Sequence, residues 1–441
     1  MAYGLRLPPG PWRLPLIGSL HHLVAARSPT VLKAPLIYLK LGEVPVVVAS
    51  SPDAAREIMK THDVNFATRP WSPTVKVLMA DGEGLVFARY GPEWRQLRKI
   101  SILELLSARR VQSFRGVQEE EVGRHRGVSA GRGREPQPED RRAHKRHGRA
   151  LHEITAGFSL GDLFTSSRLA SLIGGTARRA AVNRRKMFEL MDYVIKQHEE
   201  LAEGSHGHSY RGHCEGGSSG RASEDIQKEG GLEVPLTMGM IKTVILDLFV
   251  AGSETSASTL QWAMSELVSN PEVMQRAQAK VREKLQGKTT VTEDDLIHLK
   301  YIKLVIKETL RMHPVVPYVA SAKGVSRVMQ GHGYWDDAAT FKPEWFEAGT
   351  VDSKGTDFEY TPFGAGRRIC PGMAFAQASM ELVLAALLYH FDWKLPGGML
   401  PSEVDMTEEM GINVRRKHDL YLHPIVSVPT TCMIESYTTV P

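Results

Sequence analysis

Three cysteines in 441 residues are too few, and too scattered, for a disulfide framework. Cys214, Cys370 and Cys432 are odd in number, and no CxxC pair suggests a zinc site. A reducing compartment fits, with at least one thiol free for other chemistry. No run of about eighteen apolar residues occurs, so no membrane-spanning helix is readable. The opening Met1–Arg6 lacks the apolar core of a signal peptide. No broad excess of one charge exists either. The formal net charge is +5, and residues 123–150 alone hold nine Lys/Arg against three Asp/Glu. The basicity therefore belongs to one segment, and a nucleic-acid face on the folded body is excluded as an expectation. That segment also lacks Leu, Ile, Met, Phe, Tyr and Trp. It cannot bury a face and is expected to be a disordered insert. The abrupt switch of composition near Val122 and Leu151 suggests a shifted reading frame between them, which sequencing the transcript would test.

What is present is ordinary globular composition, 42% hydrophobic and 24% charged. The length allows two or three domains or one large core. Residues 1–18 form a stiff Pro-rich lead-in. Residues 36–49 pattern as two strands around a turn at Gly42-Glu43. Ser51-Pro52 opens a helix to about Thr61, and another is expected from Pro92 to about Leu106. Residues 203–231 are polar and Gly/Ser/His-rich, an exposed loop whose His206, His208 and His213 read as a chance cluster. The second half is more legible. Helices are expected over Leu236–Val268, Pro271–Leu285, Tyr301–Met312 and Pro371–His390, with a capping box at Thr292–Asp295. Ala320–Gly333 does not pattern as strands.

The most informative run is Phe363-Gly364-Ala365-Gly366-Arg367-Arg368-Ile369-Cys370-Pro371-Gly372. A Gly-rich loop delivers one cysteine to the start of an apolar helix. The unpaired N–H groups there favour a thiolate. Arg368 could reach an anionic group of whatever the sulfur binds. A lone thiolate with no second Cys or His nearby suits haem iron better than zinc. The alternative on physics alone is a buried structural cysteine.

The spacing F-x-x-G-x-R-x-C-x-G resembles the haem-binding signature of the cytochrome P-450 superfamily, and three further motifs stand in that family's order. Ala251-Gly-Ser-Glu-Thr-Ser256 resembles its oxygen-activation motif, Glu308-Thr-Leu-Arg311 its E-x-x-R, and Trp94-Arg-Gln-Leu-Arg98 its W-x-x-x-R. The lead-in and Phe66-Ala-Thr-Arg-Pro70 look most like plant microsomal members. The resemblance covers Leu7–Val122 and Gly157–Leu422. It implies a mainly α fold with a small β region, as one domain over 1–441, and haem b bound through Cys370. Phe363, Gly364, Arg368, Trp94 and Arg98 would surround that cofactor, Arg98 by pairing a propionate. Thr255 and Glu254 would help deliver protons during dioxygen activation. Thr255 could equally bond its own helix at the Ala251 carbonyl. Gly252 suggests a locally opened helix.

The resemblance further implies a monooxygenase acting on a lipophilic small molecule of plant specialised metabolism, terpenoid before phenolic. Electrons would come from NADPH through a cytochrome reductase. The place would be the cytosolic face of the endoplasmic reticulum membrane. The chain lacks the usual N-terminal anchor, so contact with a membrane surface, or a cytosolic location, is the expectation. Pocket-lining segments would be 71–87, 245–251, 315–318 and 411–413. Three internal features depart from the family: a short stretch between Ser28 and Leu36, the basic run, and a short segment over 315–333. Trp345 also stands where an arginine is expected to complete a triad with Glu308 and Arg311, leaving Glu308 short of a partner. The competing reading is therefore a non-catalytic product of a disrupted gene that folds poorly or fails to hold haem.

Overall fold

The computed structural model describes residues 7–25, 34–80, 84–129, 159–204, 233–316, 318–321, 324–327, 335–349, 351–409 and 413–428. Among these, helix dominates and the strands are short. Strands β1 (Leu36–Leu41) and β2 (Val44–Ala49) pair antiparallel across Gly42-Glu43, as the alternation of buried Ile37, Leu39 and Leu41 requires. Ser51 then caps a short helix, Pro52–Arg56, by accepting from the Ala54 N–H, and a π turn continues it to Thr61. Helix α1 (Pro92–Ile100) starts on its proline and also ends in a π turn, Ser101–Leu105. Helices α2 (Arg115–Ser129) and α3 (Thr176–Gly204) follow.

The axis of the molecule is α4, Met238–Ser269. Its 32 residues span about 48 Å at the usual helical rise. Thr237 Oγ1 caps it by accepting from the Met240 N–H. Asn270 stops it, and Pro271 opens α5 (Pro271–Lys284). Helix α6 (Lys300–Met312) and α7 (Met373–His390) complete the core. The C-terminal part of α4 packs with α5, α6 and α7 through Met264, Leu267, Val305, Leu382 and Leu388. Helix α7 is the one described helix long and apolar enough to cross a membrane, although Gln377, Ser379 and Glu381 interrupt its apolar sequence. Its leucines 382, 384 and 388 are fully buried in this core.

Several expectations change. Strands β3 (Tyr318–Ser321) and β4 (Gly324–Arg327) form an antiparallel hairpin within the stretch that does not pattern as strands, and β4 lies along β2. A neighbouring strand decides pairing there, since β-propensity depends on context. The basic segment is helical at its start: α2 runs through Gly123 to Ser129. Arg and His are adequate helix formers, and helix propagation adds a bond per residue. Residues 130–150 lie outside the described ones, as do 26–33, 205–232 with the His cluster and Cys214, and Cys432. Thr292–Asp295 does form the expected capping box, but the turn it opens is 3-10. Short strands β5 (Phe391–Lys394), β6 (Glu408–Glu409), β7 (Arg415–Arg416) and β8 (His423–Val426) pair as β5 with β8 and β6 with β7.

Candidate active site

The Gly-rich loop folds by local rules. Gly364 and Gly366 both have positive φ, at 72° and 65°. A Cβ on Gly366 would collide with the Met59 carbonyl, so the loop sits directly on the π turn. The Gly364 N–H donates to the Thr361 carbonyl, and the Cys370 N–H donates to the Phe363 carbonyl at 2.9 Å. Helix α7 starts at Met373, so Cys370 precedes the first turn and the Gly372 N–H points at its sulfur. Burial raises the Cys370 thiol, and the Gly372 N–H and the nearby Arg98 charge pull it back. A bare helix start therefore does not by itself make a thiolate here, because desolvation outweighs it.

Arg98, one turn after Trp94 on α1, donates to the Ile369 carbonyl at 2.5 Å and lies over the Trp94 ring. Burial lowers its pKa, and Cys370 counters that. Arg368 is differently used than its sequence position suggests. Its guanidinium donates to the carbonyls of Ala67, Leu85 and Ala88 and stacks 4.1 Å from the Trp94 ring centroid. It clamps the cysteine loop to the 67–88 segment. The Trp94 indole N–H donates to the same Leu85 carbonyl at 3.1 Å. Both arginines thus share the π system of Trp94, but Arg98 is held by a carbonyl of the cysteine loop and Arg368 by carbonyls of the 67–88 segment.

Helix α4 is unbroken through Gly252. No locally opened turn occurs, and Thr255 Oγ1 donates to the Ala251 carbonyl at 2.6 Å. The helix satisfies its own backbone, which removes the need to open it. The Glu254 carboxylate lies 3.8 Å from Arg415, which holds Glu409 at 2.7 Å. Ser258 Oγ donates to the Val414 carbonyl, and the Val414 N–H donates to the Val315 carbonyl. Val414, and through it Val315 of the predicted 315–318 wall, is therefore brought against α4 at Ser258.

The Glu308–Arg311 pair is buried and bidentate, at 2.7 and 2.9 Å. Glu308 also accepts from the Lys342 N–H, and Arg311 donates to the carbonyls of Ala338 and Thr340. Glu308 is thus not short of a partner. The backbone of 338–342 closes the network, while Trp345 packs edge-on to Trp335, over which Arg311 lies. Sequence reasoning counted side chains only and missed this backbone donor.

The residues fit a flat, thiolate-held cofactor. No residue from Ile245 to Ala257 is buried, although most are apolar and core flanks both ends. A Cβ added at Gly252, Gly364 or Gly372 would meet nothing within 4 Å. Among the described residues no His/Cys/Asp/Glu cluster offers a competing metal site.

The family model for cytochrome P450 matches residues 8–125, 139–323 and 324–421. The chain belongs to the cytochrome P450 family. The breaks in the match fall in the basic segment and in the β3–β4 turn, where the sequence departs from the family. Relatives include dolabradiene monooxygenase of Zea mays, 42% identical over 96% of this chain and 92% of that protein. Premnaspirodiene oxygenase of Hyoscyamus muticus is 39% identical over 95% and 92%. Desmethyl-deoxy-podophyllotoxin synthase of Sinopodophyllum hexandrum is 40% identical over 96% and 92%. The first alignment runs over 476 residues, longer than this 441-residue chain, so segments present in that relative are missing inside this one. Membership makes the protein an oxidoreductase of the monooxygenase class, whose family cofactor is haem-thiolate iron, and its relatives place it in plant specialised metabolism.

Proposed function

We propose that this cytochrome P450 is a haem-thiolate monooxygenase for a lipophilic small molecule, with Cys370 as the iron ligand. The observation that carries this is a Gly-rich loop that presents the Cys370 sulfur beside Arg98, in a chain whose central helix keeps an unburied, largely apolar middle. Haem, when bound, supplies the oxidation that puts one atom of dioxygen into substrate and the other into water. The chain's own contribution is positional. Phe363 and Gly364 shape the loop, and Trp94, Arg98 and Arg368 brace it from the 67–98 side. Arg98, close to the cysteine sulfur, is the residue that would pair a propionate.

Thr255 and Glu254 hold protons on the substrate side of α4. Glu254 lies at the edge of the Arg415–Glu409 ion pair, its carboxylate 3.8 Å from the Arg415 guanidinium. Electrons would come from NADPH through a cytochrome reductase. Two of the relatives are named for a diene, which supports an apolar, terpenoid-like substrate ahead of a phenolic one. Contact with the endoplasmic reticulum membrane surface is supported by one apolar patch. Leu16 and Ile17 on the lead-in, and Leu169, Leu172 and Ile173 after the Leu160–Leu163 turn, are exposed. Both segments are tied to the β1–β2 turn, by the Gly42 N–H to Ile17 and the Glu43 N–H to Leu163.

One ground for the disrupted-gene reading, an open Glu308 network, falls away because that network is closed. A reduced, carbon monoxide difference spectrum on the full chain tests the proposal, with Cys370→Ala as control. A strongly red-shifted Soret band that disappears in the control is expected. A wild-type chain without haem, or with a neutral-ligand band, would overturn it.

A further inference from the structure

His313 is a buried histidine that the chemistry above does not use. It follows α6 directly, two residues after Arg311. Its ring lies parallel to the Trp262 ring of α4, with the centroids 4.0 Å apart. Each of its nitrogens faces a carboxylate. Nε2 bonds the Glu266 carboxylate of α4 at 2.7 Å, and the other Glu266 oxygen accepts from the Asn270 side chain at 3.1 Å. Nδ1 stands 3.8 Å from the Glu408 carboxylate of β6. That is too long for a hydrogen bond, and Nδ1 has no hydrogen-bond partner among the described residues.

A neutral imidazole carries one N–H, so it donates to one carboxylate and turns a lone pair on the other. The imidazolium suits both, and the face of Trp262 favours a cation beside it. The other charged neighbours are Arg416 of β7 and the Glu308–Arg311 pair earlier on α6. Arg416 donates to Ser265 Oγ at 2.6 Å and lies over the Trp262 ring. Burial alone would lower the His313 pKa, but Glu266 and Glu408 outweigh it and hold it above the ordinary 6.5.

The two carboxylates belong to different parts of the molecule. Glu266 lies in the packed end of α4. Glu408 lies on the β6–β7 pair, where Arg415 holds Glu409 at 2.7 Å. That pair reaches the site at two points. Arg415 comes within 3.8 Å of Glu254, and the Val414 N–H donates to the Val315 carbonyl at 2.7 Å. Val315 is itself two residues after His313. His313 therefore stands where α6, α4 and the β6–β7 pair meet.

We propose that His313 is a proton-dependent positioning residue: as the imidazolium it bridges Glu266 and Glu408 and docks the β6–β7 pair, with the Val414–Val315 contact, against α4. The docking is complete below about pH 6.5 and weakens as pH rises through the higher value of the folded chain. The inference rests on the monooxygenase reading only in taking Val315 and Val414 as pocket wall.

The test compares the full chain with His313→Gln and Glu408→Gln between about pH 6 and about pH 9. Amide hydrogen exchange at Val414 reads the docking, expressed as a protection factor so that the intrinsic pH dependence cancels. The wild-type factor should fall by about two- to fivefold as pH rises, the size of a half-exposed ion pair. It should be flat in His313→Gln, which has no proton to gain, and shallower in Glu408→Gln. The Leu384 amide, in the core, should show no such step. Difference spectra with pyridine, uncharged across this range, read the pocket in the haem-loaded chain. Wild-type affinity should change over the same pH span as Val414, and His313→Gln should lose that change. A flat wild-type profile at Val414, an unchanged slope in either variant, a matching step at Leu384, or a pyridine affinity indifferent to His313 would each overturn the inference. Glu408 is half-exposed, so its variant decides the matter even if His313→Gln fails to fold. A wild-type chain without the thiolate-haem spectrum would defeat the functional reading instead, and the exchange comparison would still decide whether His313 docks the pair.

Discussion

The two parts of α4 have similar apolar composition and opposite fates. From Trp262 to Val268 every residue is buried, with Trp262, Ala263 and Leu267 at 0% exposure. From Ile245 to Ala257 none is. One helix thus serves as core at its C-terminal end and as site wall in its middle. Burial follows from what packs against a helix, and the wall stretch meets the 84–88 segment instead of α5, α6 and α7. A helix that is apolar on several faces and left unpacked marks a place for a ligand.

The comparison breaks most sharply in the packed region. Arg311→Ala should cost about 3–5 kcal/mol, because it strands a buried Glu308 carboxylate. Trp262→Ala should cost a similar amount, about 3–5 kcal/mol, through loss of a fully buried aromatic. Denaturant unfolding measures both, and a loss under about 1 kcal/mol would contradict the packing described.

In the wall stretch, Asp247 gives the next largest effect. Asp247 is only part-buried by surface, but loss of water around its carboxylate pushes the carboxyl up to about 6, against the pull of the Leu85 and Val86 N–H donors. The folded chain therefore binds this proton more tightly than the unfolded chain, and the charged form costs stability that grows as pH rises from about 4 to about 6. Asp247→Asn should remove that cost, up to about 3 kcal/mol near pH 7 and nothing below about pH 4. Parallel unfolding curves for wild type and variant across that range check the sign. A gap that widens on acidification would refute it.

Smallest of all should be Thr255→Ala. Its hydroxyl only caps a carbonyl of its own half-exposed helix, so stability should move within about 0.5 kcal/mol. Product formed per NADPH consumed should nevertheless fall, if Thr255 holds a proton for the reaction. Full coupling in the variant would remove Thr255 from the proposed chemistry.

The comparison also separates what could be read early from what could not. Cys370 stood out through a local pattern, a glycine loop before a helix, whereas Trp94 and Arg98 stood out only through the family resemblance; the structure sets Arg98 between the Trp94 ring and the Ile369 carbonyl. Arg368 was legible as a site residue and not in its role. Its three carbonyl partners come from residues some 280–300 positions earlier, and backbone oxygens leave no mark in a motif. The same reason hid the Lys342 N–H that completes the Glu308 network, and the two amides that give Asp247 its place. The β3–β4 hairpin was missed because its stretch lacks strand patterning and the β2 edge supplies the template.

By itself the sequence determined the helix starts and stops, through Ser51, Thr237 and Pro271, together with the cysteine loop and the family. These depend on neighbours along the chain, where capping geometry and glycine's access to positive φ act over a few residues. Only the tertiary structure decided which part of α4 is core and which is wall, which arginine faces the sulfur and which braces the loop, and what satisfies Glu308 and Asp247. Those outcomes turn on desolvation and on backbone donors and acceptors delivered from distant segments, and a linear pattern does not encode either.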